Sequence, residues 1–169
     1  SDPCAWNEEN QRSLEEGLRR HREETVQRGD FFFMPGAGSP GLTGIYEEVG
    51  LESFSYYLAD CPGVITELLE HNTARIVTRY EHYPEDHGQI VGFTCDDLAF
   101  NSGPLISPVW LREHYFPGLK RITDAMHKKG IKLFFHSDGN LNPVLDDLVE
   151  AGIDGLNPIE ILAGMDVGN

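Results

Sequence analysis

The sequence predicts an α/β protein, a parallel-stranded slice of a (β/α)8 barrel with about four central strands under covering helices. Three observations point there. Short apolar runs without polar alternation fall at residues 30–34, 89–94, 131–135 and 153–156, the mark of strands buried on both faces. Stretches of helical periodicity separate them, and strand–helix alternation means a parallel sheet. Every polar cluster of chemical interest lies just past a strand's carboxyl end, where such folds gather their chemistry. A closed barrel needs eight strands and typically ~250 residues. The chain of 169 residues is therefore expected to be part of a larger barrel, with a complete small open α/β domain as the alternative.

Taken in order, residues 10–28 are rich in Glu, Arg and Leu, lack Pro and stop at Gly29, so they predict a leading helix with Leu14, Leu18 and Val26 inward. Residues 30–34 (Asp-Phe-Phe-Phe-Met) predict the first strand, ended by the turn cluster 35–41. Helices are expected over 53–59 and 62–83, the second opened by Pro62, whose missing N–H costs nothing there, with Val64, Leu68, Ile76 and Tyr80 inward. Strand 89–94 runs into Cys95-Asp96-Asp97 and a long loop, 98–107. Pro108 opens a helix directing Leu111, Tyr115, Leu119, Ile122 and Met126 to the core, and Gly130 ends it. Strand 131–135 runs into His136-Ser137-Asp138-Gly139-Asn140, and a further helix places Leu145, Leu148 and Val149 inward before ending near Gly152. The last strand, 153–156, leads to Asn157-Pro158-Ile159-Glu160. The organisation expected is one partial domain over 1–169, a leading helix at 1–29 and the strand-bearing part at 30–169.

Charge narrows the partners. The chain has 13 Lys+Arg against 28 Asp+Glu, a formal net charge of −15, which argues against nucleic acid and anionic membranes. The basic cluster Arg19, Arg20 and Arg22 is diluted by Glu15, Glu16, Glu23 and Glu24 and reads as a solvated helix face. Cys4, Cys61 and Cys95 are odd in number, scattered and free of CxxC spacing, which favours a reducing, cytoplasmic setting. No apolar run nears the ~20 residues that span a bilayer, and no secretory leader is visible. A small-molecule substrate is expected, with a homodimer as a further expectation.

The strand ends supply the candidate site. Asp96 and Asp97 follow an apolar strand directly; side chains alternate there, so one can face the site as metal ligand or general base while the other braces a loop. An Asx turn onto residues 101–104 is the plainer account of either. His136 and Asp138 leave their strand at i and i+2, on one face, and suit zinc or another divalent cation, or a base with its orienting carboxylate. A His hydrogen-bonded within a turn, with Asp138 as a helix cap, explains the pair equally well. Glu160 adds a third ligand or an acid, or else a carboxylate at a helix start. Catalytic candidates are thus Asp96, Asp97 and His136; metal candidates are His136, Asp138 and Glu160. The loop Pro35-Gly36-Ala37-Gly38-Ser39-Pro40-Gly41 lacks the Lys and Ser/Thr of a phosphate loop and reads as a tight connection approaching substrate. Ser39, Tyr46 and Asn101 are the substrate-contact candidates. Cys95 is a conceivable ligand or nucleophile, but adjacent Asp96 is expected to raise its pKa. The remaining histidines read as structural or exposed.

The stretch Asp96-Asp97-Leu98-Ala99-Phe100-Asn101-Ser102-Gly103-Pro104-Leu105-Ile106-Ser107-Pro108, the helix with Pro117, His136-Ser137-Asp138-Gly139-Asn140 and residues 150–160 together resemble the uroporphyrinogen decarboxylase superfamily. The resemblance covers about residues 30–166 and is specific from Asp96 onward. It implies strands three to six of a (β/α)8 TIM barrel, and one of two chemistries. One is cofactor-free decarboxylation of porphyrinogen acetate side chains in porphyrin biosynthesis; the other is zinc-dependent methyl transfer to or from a corrinoid on a partner protein. Tyr46 loosely matches a substrate-contacting Tyr of the decarboxylases. Those enzymes carry a Ser-His-Ala-Gly-type segment where this chain has Cys95-Asp96-Asp97-Leu98. The methyltransferases carry a His-x-Cys zinc pair where this chain has His136-Ser137-Asp138, so Asp138 replaces the thiolate. A substrate with eight carboxylates sits poorly beside Asp96, Asp97, Asp138 and Glu160, whereas a divalent cation neutralises them. Metal-assisted methyl transfer is therefore the favoured expectation, a decarboxylase-type lyase the alternative, and an inactive partial barrel serving as an interaction module the third. The parent protein is expected to be an enzyme and the isolated stretch inactive.

Overall fold

The structure, a computed structural model, describes residues 5–29, 34–166 and 168. Helix α1 (Glu8–Arg28) opens with a capping box in which Asn7 and Asn10 satisfy each other's backbone N–H. Leu14 and Leu18 are buried, but Val26 is 81% exposed, so the inward stripe is shorter than the sequence suggested. Trp6 stacks on His82 with ring centroids 4.1 Å apart, fixing the start of α1 against the end of the next long helix. The predicted strand at 30–34 lies outside the described residues except for Met34.

Two short helices follow, α2 (Leu42–Val49) and α3 (Leu51–Asp60). The sequence reading had α3 but not α2, whose Gly41 start has a left-handed φ of 90° and no side-chain cap. Helix α4 (Pro62–Glu81) buries Ile65, Leu69, Thr73, Ile76 and Tyr80. Val64 and Leu68, expected inward, face solvent instead. A stripe at 65, 69, 73, 76 and 80 holds the helical period without a break, whereas 64 and 68 sit about 100° away from it.

Strand β1 (Val91–Cys95) pairs in parallel with β4 (Lys132–His136), which pairs in parallel with β5 (Gly155–Asn157). On the other side of β1, Gly36 bridges Phe93: Ala37 N–H donates to the Phe93 carbonyl at 2.7 Å and Phe93 N–H to the Pro35 carbonyl at 2.8 Å. The structure is therefore an α/β fold whose three-stranded parallel sheet is flanked by helices, extended by that single bridge; no closed barrel is present among the described residues. The loop 98–107 is partly ordered as a tight hairpin, β2 (Ala99–Phe100) with β3 (Gly103–Pro104).

The helix expected after Pro108 is broken in two, α5 (Pro108–His114) and α6 (Phe116–Lys128). Pro117 has no N–H to continue the ladder and disfavours helical backbone at the residue before it. All five predicted core residues of this stretch, Leu111, Tyr115, Leu119, Ile122 and Met126, are nonetheless buried. Gly118 brings α6 against α4, since a Cβ there would lie 2.8 Å from Thr73 Oγ1. After β4 the chain makes a 3₁₀ turn, Asn142–Val144, and helix α7 (Leu145–Glu150). Leu148 is buried, while Val149, expected inward, is exposed. No helix among the described residues is long and apolar enough to cross a membrane.

Candidate functional site

Parallel pairing sets Cys95 opposite His136 and His136 opposite Asn157, all at the carboxyl ends of their strands. The residues leaving those ends therefore meet on one rim. Cys95, Asp97 and His136 each offer a ligand atom, and these atoms lie within 4.8 Å of one another. His136 Nε2 is 3.8 Å from Asp97 Oδ1 and 4.0 Å from Asp138 Oδ1. His136 is half-buried, its ring 5.9 Å from that of Phe93.

The two adjacent aspartates part company here. Asp96 is fully buried. Its Oδ2 accepts from Gly41 N–H at 3.0 Å and from the Tyr115 hydroxyl at 2.8 Å, and its Oδ1 accepts from Thr43 N–H at 2.8 Å. The carboxylate thus ties down the start of α2 from beneath. Burial outweighs hydrogen bonds from Thr43, Tyr115, Ser39 and Gly41, and pushes the carboxyl above the usual carboxylate range. Both Asp96 oxygens accept from the protein's own donors, which sets this carboxylate as a brace for the 41–43 backbone. Asp97 takes the outward position. Its Oδ1 accepts from Asp138 N–H at 3.1 Å, and its own N–H donates to Thr43 Oγ1 at 2.7 Å.

Of the expected metal set, His136 alone belongs to the converging group. Asp138 is largely exposed and only its backbone N–H engages Asp97. Glu160 Oε2 accepts from Gly139 N–H at 2.7 Å, so this carboxylate laces the β5 exit to the β4 exit. Cys95, set aside in the sequence reading, stands in their place. That reading's electrostatic reason holds: burial first, then the charges of Asp97, Asp96, Asp138 and Glu47, push its thiol up to about 11.

The substrate-contact candidates divide too. Tyr46 Oη sits 3.2 Å from both the Asp97 carbonyl oxygen and Thr43 Oγ1, and burial raises its pKa. It is part of the rim's support. Ser39 Oγ donates to the Cys95 carbonyl at 3.4 Å, which puts it beside the cluster. Asn101 is exposed at the β2–β3 turn, and the structure brings it to none of these groups.

Three residues that hold the rim together escaped the sequence reading. Thr43 links Asp96, Asp97 and Tyr46; Ser137, fully buried, accepts from Leu98 N–H through Oγ at 2.9 Å; Tyr115 supplies the phenol beneath Asp96. Tyr115 was legible as core from its helical spacing, but nothing in the pattern signalled its hydroxyl's partner. Gly139 completes the rim with φ of +88°; a Cβ there would lie 2.5 Å from the Ala99 carbonyl oxygen. That close approach seats the hairpin on the β4 exit, where Asn140 N–H donates to the Phe100 carbonyl at 2.9 Å.

Fold and site together define an α/β protein with an acidic, thiol-bearing cluster at the carboxyl rim of a parallel sheet. Comparison with protein families, with curated proteins and with solved structures finds no match for this chain.

Proposed function

We propose that the rim is a metal-assisted active centre acting on a small molecule, and that the reaction class is methyl transfer of the uroporphyrinogen decarboxylase superfamily type, with a corrinoid carried by a partner protein. The observation that carries this reading is the convergence of Cys95, Asp97 and His136 ligand atoms within 4.8 Å. Thiolate, carboxylate and imidazole together fit a borderline-soft divalent cation such as zinc. Burial and then the neighbouring carboxylates hold the Cys95 proton in place; those carboxylates also favour a cation, so binding and thiol deprotonation are coupled. Such an ion, when bound, supplies Lewis-acid activation of an acceptor thiol or an ether oxygen.

The chain's own residues set the geometry. Asp97 is oriented by the Asp138 and Thr43 contacts, and His136 is held by strand pairing to β1. With Asp96 anchoring the 41–43 backbone, Thr43, which accepts from Asp97 N–H, is held in place before any substrate arrives. The parallel order of the Gly36 bridge, β1, β4 and β5 supports the finer proposal that this is an arc of a (β/α)8 barrel.

A second reading is a metal-free lyase of the decarboxylase type. The observation in its favour is the Cys95 thiol, protonated at neutral pH with its pKa pushed up to about 11, which leaves Asp97 and His136 as an acid–base pair. Elemental analysis separates the two. About one zinc-class ion per purified chain is expected, lost in both His136→Ala and Cys95→Ser variants that remain folded. No metal in the parent, or unchanged metal in His136→Ala, overturns the metal reading; porphyrinogen decarboxylation then becomes the assay, and failure there leaves an interaction module.

A further inference from the structure

Arg75 and Arg79 stand one turn apart on α4 and both line a cavity of about 400 Å³ enclosed by the start of α1, α4 and the loop 36–41. In a chain with 28 acidic residues, no Asp or Glu lines this cavity. Neither guanidinium pairs with a carboxylate among the described residues; Arg79 reaches the Tyr83 phenol instead. Arg19, Arg22, Arg112 and Arg121 each carry an acidic partner, whereas Arg12 and Arg20, like Arg75 and Arg79, have none among the described residues. What distinguishes Arg75 and Arg79 is their placement: two positive charges one turn apart on a single cavity whose lining holds no acid.

The opposite wall is backbone. Ala37 N–H and the Pro35 carbonyl are spent on Phe93, so Gly36 between them turns its N–H away from β1. Neither that N–H nor the Gly38 N–H meets an acceptor among the described residues. Asn10 and Ser13 add polar side chains from α1. Guanidinium donors and backbone N–H groups without an internal acceptor, lining one cavity, are the chemistry of carboxylate and phosphate recognition.

We propose that this cavity binds a small anionic group, a carboxylate or a phosphate, between the Arg75 and Arg79 guanidinium groups and the Gly36–Gly38 backbone. Ser39 belongs to the same lining and donates to the Cys95 carbonyl at 3.4 Å, so the anion subsite and the rim cluster share one wall. It supplies positive charge that the strand ends themselves lack. The proposal stands on the cavity alone and does not require a metal at the rim.

The test is calorimetric titration of the full chain with inorganic phosphate and, separately, with citrate. Saturable binding of at least one probe is expected, weakened about tenfold or more in Arg75→Gln and in Arg79→Gln. Arg121→Gln, which removes an equal charge from an arginine already paired with Glu70, is expected to leave it unchanged. Circular dichroism verifies that the variants are folded, as the exposure of both arginines leads one to expect. A preference for phosphate or for citrate assigns the ligand class. No saturable binding of either probe, or an equal loss in all three variants, overturns the proposal.

Discussion

Asp96 shows how much one buried side chain can organise. It receives two backbone N–H groups and a phenol at zero exposure, which couples the β1 exit, the start of α2 and the α5–α6 junction. An amide in its place has one oxygen only, so either Gly41 N–H or Thr43 N–H would face a nitrogen. Leaving one buried donor unsatisfied costs about 1–3 kcal/mol. Asp96→Asn is therefore expected to lower unfolding free energy by about that amount in urea titrations, without changing the denaturant slope; a neutral effect would mean the 41–43 loop is held by other contacts. The sequence pointed to this position and to the likelihood that Asp96 and Asp97 would diverge, because neighbours on an extended strand face opposite ways. It did not say which of them turned inward. That was decided by Thr43 and Tyr115, distant in sequence and with no local pattern of their own.

At the scale of elements, Asp154 clamps the beginning of β4. Its Oδ2 accepts from Leu133 N–H and lies 2.8 Å from His127 Nε2, while Oδ1 accepts from Lys132 Nζ at 3.1 Å. Partial burial opposes ionisation, but these hydrogen bonds and the His127 charge prevail and hold its carboxyl below the usual carboxylate range. A carboxyl lowered by folding stabilises the native state above its unfolded pKa, about 3.9, and that contribution fades as pH falls through the folded value. Asp154→Asn is accordingly expected to be less stable than the parent at pH 7, with the gap narrowing below about pH 4. Urea unfolding at several pH values checks the sign; a gap that widens in acid would refute it.

Elements with a strong period or an uninterrupted apolar run were legible: α1, α4, β1 and β4 all lie close to their expected bounds, while the one helix expected from Pro108 to Gly130 is split into α5 and α6. What failed did so for local reasons. Helix α2 begins at a glycine with no capping side chain, so no start signal marks it. The hairpin β2–β3 is two residues per strand, too short to show alternation. For the site, the strand-end location was legible but its membership was not. Spacing alone cannot reveal that strand register pairs Cys95 with His136, or that Glu160 is occupied by Gly139 N–H.

For the molecule as a whole, the described part of the sheet leaves edges open. Among the described residues β5 pairs on one side only, and the far side of β1 meets a single bridge at Gly36. Open edges invite pairing with another chain, and a net charge of −15 opposes it. The screening length falls from about 30 Å at 0.01 M salt to about 3 Å at 1 M, so self-association is expected to grow with salt. Sedimentation velocity across that range reads it directly; a monomer at every salt concentration would show that charge is not what keeps the edges apart.

The pairing of Cys95 with His136 across β1 and β4 has a further consequence. Their separation is set by the backbone ladder of two adjacent strands, whose inner neighbours Leu133 and Phe135 are fully buried, and not by loops that breathe on their own. The two side chains behave like sockets on a common rail: what is plugged in can be exchanged while the distance between them stays the same. A lineage altering either residue would change reactivity without renegotiating architecture, and the rim should keep its shape until the entire sheet gives way.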